Sequence, residues 1–376
     1  MVRFVPLFVA ISILLAGTAT SQTRAPLTIA NQGYLFAGGH MADGKQPLTG
    51  QMYVEYQIPQ QRTHRYPVVM IEGGGQTGAN FTGTPDGREG WATYFLRRGY
   101  AVYVADQVGR GRSGYNAETY GPTGFQDIGF LLNRFAAPEK ANLWPQAHLH
   151  TQFPGNAVVG DPIFTQFLSQ EVPSIADFGL QQKLNTAALV ALLDTIGPAI
   201  LLTHSQSGAF GWPVADARPP LVKAILAVEP SGPPVHDIVN SGPPNWFSDA
   251  PQLKLYGLGM VPLTYAPAVT EPAQLAFERA AQPGGPDLVN CWLQKAPART
   301  LPNLTHTPIL IVQSEASYHA PYDYCTAAYL SQAGVNNTFV RLADRGVHGN
   351  AHMMMLEKNS DAIAAVMETW VSSAVR

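Results

Sequence analysis

The sequence predicts an α/β fold built on a mostly parallel, doubly wound sheet with helices on both faces. Short apolar runs rich in Val, Ile and Tyr recur along the 376 residues, and segments with helical patterns separate them. The runs are apolar at successive positions, which is typical of parallel strands buried on both faces. Alternation of such strands with helices places the helices on the two sides of one sheet.

Seven apolar runs predict strands and four patterned segments predict helices. The strand segments are residues 52–58, 67–72, 100–106, 199–204, 222–229, 308–313 and 338–344. The helical segments are residues 90–98, 174–196, the residues after Gln206, and 354–371. Ser174 followed by Asp177 resembles a capping box, which is typical of a helix N-terminus. The second helix should therefore open there, and Pro198 should end it before the next strand.

Two long segments, at about residues 115–173 and 231–303, interrupt this alternation. They are rich in Pro, Gly and aromatic residues and are too long for ordinary loops. Ligands of doubly wound folds bind at the carboxyl ends of the strands, so we expect the segments to form cap-like insertions over that edge. Residues 22–376 are then predicted to form a single domain with two insertions. A chain that is 46% hydrophobic can bury the necessary core.

The amino-terminal residues have the pattern of a secretory signal. Arg3 precedes an apolar run over residues 4–16, and small residues follow it. The run is shorter than the ~20 residues that a membrane span requires. We therefore predict a signal peptide at residues 1–21 and a secreted or periplasmic mature protein without a membrane span. An uncleaved signal anchor is the alternative.

Charge and cysteine content narrow the possible partners and the compartment. The chain has 23 Lys and Arg against 26 Asp and Glu, a net charge of −3, with no basic face to follow phosphates, which argues against a nucleic-acid partner. Cys291 and Cys325 are the two cysteines. Because exported proteins form disulfides, we predict that the two are joined; a pair of buried free thiols is the alternative.

The segment "AILLTHSQSG", residues 199–208, is the strongest sign of chemistry. In a nucleophile elbow, a serine occupies a sharp turn between a strand and a helix, with small residues two positions before and after it. Registers centred on Ser205 and on Ser207 both satisfy this spacing. The apolar run ends at His204, which makes Ser205 the first residue past the strand. We therefore prefer Ser205 as the nucleophile and keep Ser207 as the alternative.

A glycine-rich loop, "IEGGGQTG" at residues 71–78, follows the strand at 67–72. Glycine amides in such a loop can point at a developing oxyanion. By register we place one donor on the amide of Gly74 and the second on the amide of Gln206. A phosphate-binding loop is the competing interpretation, but the Lys-Ser/Thr pair that it needs does not follow the glycines.

Together with "ADQVGRGRSG" at residues 105–114 and "NAHMMMLEKNSDAIAAVMETW" at 350–370, these motifs resemble the α/β-hydrolase superfamily, in its esterase branch. The resemblance covers nearly the whole mature chain. It implies that the catalytic histidine precedes a glutamate by five residues, which selects His352, ahead of Glu357. His348 follows the same strand and is the alternative. We expect His204 to be a packing residue whose ring faces away.

The resemblance also bears on the acid of the triad. Most members carry it a few residues after the strand that here is 308–313, but Ser317 stands at that place. A minority, including a bacterial esterase branch, takes the acid from the preceding strand, which here ends in Glu229. We therefore predict Glu229, with Glu315 and Asp323 as competitors. The alternative role for Glu229 is to cap the insertion that follows it.

These residues predict a secreted serine hydrolase that cleaves carboxylic esters through an acyl-enzyme, with lactones, thioesters or amides as variants. The expected partner is a small-molecule ester, and no metal or organic cofactor has a role. The spacing of His348 and His352 lacks the Glu that follows the first His of the helical zinc-protease motif. The alternative is a non-catalytic binding module that kept the fold and lost turnover.

Overall fold

The computed structural model describes residues 24–41 and 48–375, and its centre is an eight-stranded sheet. The strands are β1 (Ile29–His40), β2 (Thr49–Pro59), β3 (Val68–Ile71), β4 (Val102–Asp106), β5 (Ala199–His204), β6 (Val222–Val228), β7 (Ile309–Gln313) and β8 (Thr338–Arg341). Their order is β1-β2-β4-β3-β5-β6-β7-β8. β2 runs antiparallel to both neighbours, and all other neighbouring pairs are parallel. The mostly parallel sheet is therefore confirmed, whereas the predicted signal peptide, residues 1–21, lies outside the described residues.

Among the described residues, six longer helices pack around the sheet or over its edge. They are α1 (Trp91–Arg97), α2 (Pro162–Ser169), α3 (Phe178–Ile196), α4 (Gly208–Ala217), α5 (Asp323–Gln332) and α6 (Ser360–Ala374). Short helical turns occupy Ala79–Thr82, Gly111–Ser113, Ala117–Tyr120, Ile128–Leu131, Leu132–Ala136, Pro138–Ala141, Ala147–Leu149, Ser205–Ser207, Pro272–Gln274, Pro302–Leu304 and Leu342–Arg345. Within the two described ranges, none of the helices is both long and apolar enough to cross a bilayer.

The side chains of β3 alternate between the two faces of the sheet, and both faces are buried, which shows why the apolar runs form buried strands. Val68 and Met70 face a core shared with α1 and α6, whereas Val69 and Ile71 face a second core shared with α3 and α4. All four side chains are completely buried. Each contributes about 1.5–3 kcal/mol of burial free energy, so neither face of the strand can be exposed cheaply.

The structure differs from the sequence-based prediction at one helix start. Asp177, not Ser174, is the N-cap of α3, because its carboxylate accepts a 2.9 Å hydrogen bond from the amide of Leu180. Ser174 lies in a two-residue strand, and its hydroxyl accepts from the amide of Gly75 at 3.2 Å. The predicted capping box is therefore wrong, since Ser174 attaches the first insertion to the glycine loop instead.

The two predicted insertion segments lie after the carboxyl ends of β4 and β6. The first holds α2 and several helical turns, and a short ribbon formed by Thr123–Gly124 and Ser174–Ile175 brings its ends together. The second holds two ribbons, His236–Asn240 with Phe247–Gln252 and Phe277–Arg279 with Trp292–Gln294. A disulfide joins Cys291 to Cys325, with the Cα atoms 5.2 Å apart, and links the second insertion to α5. The predicted pairing of the two cysteines is confirmed.

Candidate active site

Ser205 lies on a tight turn directly after β5 and is half-buried. Its φ angle is +54°, a left-handed conformation that is costly for a residue with a side chain. Neighbouring glycines make the turn possible: a Cβ on Gly208 would lie 2.4 Å from Cβ of Pro230, and one on Gly73 would lie 3.0 Å from Cβ of Ser205. The turn therefore has the close backbone approach that a nucleophile elbow requires.

Ser207 occupies a different environment from Ser205. It is fully buried, and its hydroxyl accepts a 2.9 Å hydrogen bond from the amide of His204 while it donates to the carbonyl of Ile71 at 2.8 Å. These bonds fasten the elbow to the end of β3. The Ser207 hydroxyl is thus committed to structure, which supports the preference for Ser205.

His352 and Glu229 form a completely buried pair. Nδ1 of His352 lies 2.6 Å from Oε2 of Glu229, and both side chains have no exposed surface. Glu229 comes directly after β6 and accepts further hydrogen bonds from the Ser314 amide at 2.8 Å, the Ser314 hydroxyl at 2.5 Å and the Ser317 hydroxyl at 2.7 Å. Four donors therefore hydrogen-bond to this carboxylate, whose burial would otherwise be strongly unfavourable.

The environment favours a carboxylate facing a neutral imidazole. Burial raises the pKa of Glu229, but the hydrogen bond from His352 and the other polar neighbours outweigh it and bring the pKa to about 2. Burial lowers the pKa of His352 to about 4, against the opposing effect of Glu229. At neutral pH the imidazole is thus unprotonated, and Nε2 can accept a proton.

The alternative candidates from the sequence, His348, Glu315 and Asp323, contact groups other than His352 and Glu229. His348 is exposed and pairs with Glu315 at 3.1 Å, and Glu315 also accepts from the Gly349 amide at 2.8 Å. Asp323 pairs with Nδ1 of His319 at 2.7 Å. Glu229 is the carboxylate that contacts His352 within the described part of the chain.

Two further histidine rings pack against His352. His204 lies with its ring centroid 4.5 Å from that of His352, and its Nε2 is 3.0 Å from the His352 carbonyl oxygen. The expectation that the His204 ring faces away is therefore wrong, because the ring supports the backbone of His352. His319 stacks on His352 at 4.6 Å with an interplanar angle of 14°.

Three of these groups come close enough to resemble a metal site. Donor atoms of Glu229, His319 and His352 lie within 4.8 Å of one another. However, Oε2 of Glu229 already accepts from His352 and Ser317, and Nδ1 of His319 is bound to Asp323. The hydrogen bonds already use most of the ligand positions, and we describe the cluster as a hydrogen-bond network.

Sequence analysis did not identify Tyr318, whose side chain contacts His352. Its hydroxyl is 3.4 Å from Nε2 of His352. Its ring contacts the rings of Phe135 and Trp144, both from the first insertion. The one available signal was its position directly after Ser317, in the segment where the superfamily usually carries its acid.

The glycine loop lies beside the elbow. Gly74 is half-buried, whereas Gly73 and Gly75 are buried, and the Gly75 amide donates to Ser174. A Cβ on Gly74 would lie 3.8 Å from the side chain of Gln206. The glycine loop therefore lies against the side chain of Gln206, the residue that follows Ser205.

A buried arginine holds the loop against the elbow. Arg110 donates to the carbonyl of Gly73 at 2.6 Å and to Oε1 of Gln206 at 2.5 Å, and its guanidinium lies 4.0 Å from Glu72. Burial raises the pKa of Glu72 to about 8, against the attraction of Arg110. Glu72 in turn accepts from the amide of Gln107 at 2.7 Å. Arg110 thus holds the glycine loop and the side chain of Gln206 in one arrangement.

The first insertion also fastens the segment that carries His352. The buried ring of His150 lies 2.8 Å from a carboxylate oxygen of Glu139 and 2.8 Å from one of Glu357. Glu357 also accepts from the amide of Ala351 at 3.1 Å, next to His352. Burial lowers the pKa of His150, but the two carboxylates more than compensate and raise it to about 9. At neutral pH a cation therefore joins two carboxylates across this contact.

The strand order, with the elbow after β5 and the buried pair after β6 and β8, defines an α/β-hydrolase. No family model matches the sequence. The protein named "Probable secreted lipase phiG" from Fungal sp. (strain ATCC 74256) is 43% identical over 327 residues, which cover 85% of each chain. The structure of a bacterial esterase is 27% identical, covers 94% of this chain and 98% of its own, and superimposes with a TM-score of 0.60. The chain therefore belongs to the lipase and esterase family of α/β-hydrolases.

Proposed function

We propose that the protein is a serine hydrolase of carboxylic esters with Ser205 as nucleophile, His352 as general base and Glu229 as the orienting acid. The observation that carries the proposal is the buried 2.6 Å contact between His352 Nδ1 and Glu229, beside a serine held at φ +54°. Esterase and lipase names among the similar proteins support an ester as the substrate.

In the first half of the proposed reaction, Oγ of Ser205 attacks the ester carbonyl while Nε2 of His352 takes its proton. The amides of Gly74 and Gln206 stabilise the oxyanion of the tetrahedral intermediate. His352 then gives the proton to the departing alcohol, and an acyl group remains on Ser205. Arg110 supports this step indirectly, because it holds Gly73 and Gln206 in place.

In the second half, water attacks the acyl-enzyme, and His352 again takes and returns a proton. Glu229 stays ionised throughout, since the hydrogen bonds that it accepts and the neighbouring histidines bring its pKa to about 2. Hydrogen bonds from Ser314 to Oε1 and from Ser317 to Oε2 hold this carboxylate in place, and its Oε2 fixes the tautomer of His352. Lactones fit the same chemistry, because ring opening merely leaves the alcohol attached to the acyl group.

We also propose that the protein is secreted or periplasmic and that residues 1–21 are its signal peptide. The sequence pattern supports this, and the fungal relative is named as a secreted protein. The disulfide between Cys291 and Cys325 suits an oxidising compartment. Amino-terminal sequencing of the exported protein tests the cleavage site.

Labelling with a fluorophosphonate probe, followed by peptide mass spectrometry, tests the nucleophile. We expect modification of Ser205 in the wild type, none in Ser205→Ala, and unchanged labelling in Ser248→Ala, an exposed serine on a ribbon of the second insertion. Hydrolysis of 4-nitrophenyl butanoate should follow the same pattern. Folded wild-type protein that neither reacts with the probe nor hydrolyses the ester would instead be the non-catalytic binding module.

A further inference from the structure

Arg134 is a cation beside the candidate active site that pairs with none of the carboxylates in the described part of the chain. It lies on the turn Leu132–Ala136 of the first insertion, half-buried. Its guanidinium carbon is 4.8 Å from the ring centroid of Tyr318 and 4.9 Å from that of Phe130. Across residues 24–41 and 48–375, no carboxylate or other acceptor bonds to its side chain. The charge is therefore supported by aromatic faces alone.

The position of Arg134 relates it directly to the reacting groups. The hydroxyl of Tyr318, the ring beneath the guanidinium, is 3.4 Å from Nε2 of His352. The adjacent residue, Phe135, stacks on the His352 ring with 5.3 Å between centroids. One aromatic side chain thus separates the cation from the proposed base. Consistently, the positive charge of Arg134 adds to the effect of burial in lowering the pKa of His352.

Several other charged groups near the site already have partners. Arg110 has carbonyl and amide acceptors, Lys254 is paired with Asp237, and the Glu229 carboxylate has four donors. Arg134 differs from these groups, because its side chain has neither an ion-pair partner nor a hydrogen-bond acceptor among the described residues. A half-buried guanidinium has lost part of its hydration, and a carboxylate can restore two hydrogen bonds at once through its matching planar geometry.

Building on the proposed function, we infer that Arg134 binds a carboxylate of the substrate and selects esters that carry such a group a few bonds from the scissile carbonyl. Half-esters of dicarboxylic acids are the simplest members of this class. The carboxylate would sit over Tyr318 against the guanidinium, while the ester carbonyl reaches Ser205. The adjacent Phe135 and Tyr318 would exclude water from this pair and so strengthen it.

Matched pairs of anionic and neutral esters test the inference. On the acyl side, mono-4-nitrophenyl glutarate is compared with 4-nitrophenyl 4-carbamoylbutanoate. On the alcohol side, 3-carboxyphenyl butanoate is compared with 3-carbamoylphenyl butanoate. Each kcat/KM is divided by the second-order rate constant of the same ester with imidazole, a neutral nucleophile, which removes the intrinsic difference in reactivity without the repulsion between hydroxide and a carboxylate. The pairs together show which part of the substrate carries the anion.

The wild type should prefer the anionic member of at least one pair by roughly tenfold or more, as expected for a hydrogen-bonded ion pair away from bulk water. Arg134→Gln should remove this preference, so that the ratio of normalised kcat/KM between the anionic and the neutral member falls to about one. Arg134→Lys should retain part of it, because a point charge replaces the planar fork. Arg65→Gln is the matched control, since Arg65 also contacts a ring, that of Tyr66, but is exposed before β3 at the opposite edge of the sheet.

Equal normalised rates within both pairs, or a preference that survives Arg134→Gln, would overturn the inference. Failure of the proposed function has a different signature, namely no turnover of any of the four esters and no fluorophosphonate labelling. In that case, the inference about Arg134 is tested by calorimetric measurement of the binding of the same four esters to the Ser205→Ala protein. Preferential binding of an anionic member that Arg134→Gln abolishes supports the inference, and equal binding of both members rejects it.

Discussion

The hydroxyl of Ser317 donates a 2.7 Å hydrogen bond to Oε2 of Glu229, the same oxygen that lies 2.6 Å from Nδ1 of His352. Ser317 occupies the place after β7 where most of the superfamily carries its acid. The carboxylate that we propose as the acid follows the neighbouring strand instead, and a small hydrogen-bond donor occupies the usual position. A second carboxylate in that position would face Glu229 at close range and would raise the pKa of one of the two.

The first prediction is that Glu229 is the acid of the proposed triad. Glu229→Gln should lower kcat by about 10⁴-fold, because the amide cannot stabilise the imidazolium and favours the wrong tautomer of His352. Steady-state kinetics on 4-nitrophenyl butanoate measures this, with circular dichroism as a check on folding. The controls are Glu315→Gln and Asp323→Asn, whose carboxylates pair with His348 and His319. An inactive Asp323→Asn beside an active Glu229→Gln would place the acid after β7.

The second prediction is that Ser205→Ala impairs catalysis, whereas Ser207→Ala mainly impairs stability. Ser205→Ala should lower kcat by about 10⁶-fold with little change in Tm, as removal of a nucleophile does. Ser207→Ala should lower the free energy of unfolding by about 1–3 kcal/mol, because it leaves the buried His204 amide and Ile71 carbonyl without their partner. Its activity should fall far less. The reverse pattern, an active Ser205→Ala and a dead Ser207→Ala, would shift the elbow register by two residues.

Local sequence patterns predicted those parts of the fold that local physics determines. The strands buried on both faces are continuous apolar runs and were found, whereas β1 was missed because it is an edge strand with mostly exposed residues. The helices α2 and α5 were also missed. In α5, the buried face mixes polar Asp323 and Thr326 with Tyr329 and Leu330, so that no apolar stripe marks it.

In the candidate site, too, residues placed by a local sequence pattern could be predicted, whereas residues placed by tertiary contacts could not. Ser205 directly follows β5 and Glu229 directly follows β6, so their positions could be inferred from the apolar runs before them. Tyr318 and Arg134 come together only when the first insertion folds over the segment after β7. That contact depends on tertiary packing between distant parts of the chain, which no local spacing encodes.

The third prediction concerns the acid limb of the pH profile. Because burial lowers the pKa of His352 to about 4, the imidazole stays neutral and able to accept a proton well below the ordinary histidine pKa of 6.5. A plot of kcat/KM against pH should therefore remain flat through pH 6 and fall as the pH approaches about 4, where His352 becomes protonated. His352→Ala should be inactive and His348→Ala close to wild type. If kcat/KM of the folded protein instead fell with a midpoint near pH 6.5, the assignment of His352 as the base would be contradicted.

The last prediction concerns the contact of His150 with Glu139 and Glu357. The folded pKa of His150 is raised from 6.5 to about 9, so its contribution to stability is fully present below pH 6.5 and is lost as the pH rises through about 9. His150→Gln should lower the free energy of unfolding by about 1–3 kcal/mol at pH 6, because two buried carboxylates lose a charged donor. The difference from wild type should shrink between pH 7 and pH 9.5, when the wild-type ring loses its charge.

Denaturant unfolding at several pH values measures that difference, and His148→Gln is the matched control. His148 is exposed, and its ring contacts the Pro145 carbonyl rather than a carboxylate. Because Glu357 also binds the amide of Ala351, next to His352, the His150 variant should lose some kcat at pH 6 as well. A destabilisation that stays constant from pH 6 to pH 9.5 would mean that His150 acts through packing alone, since only a charged ring makes the contact depend on pH.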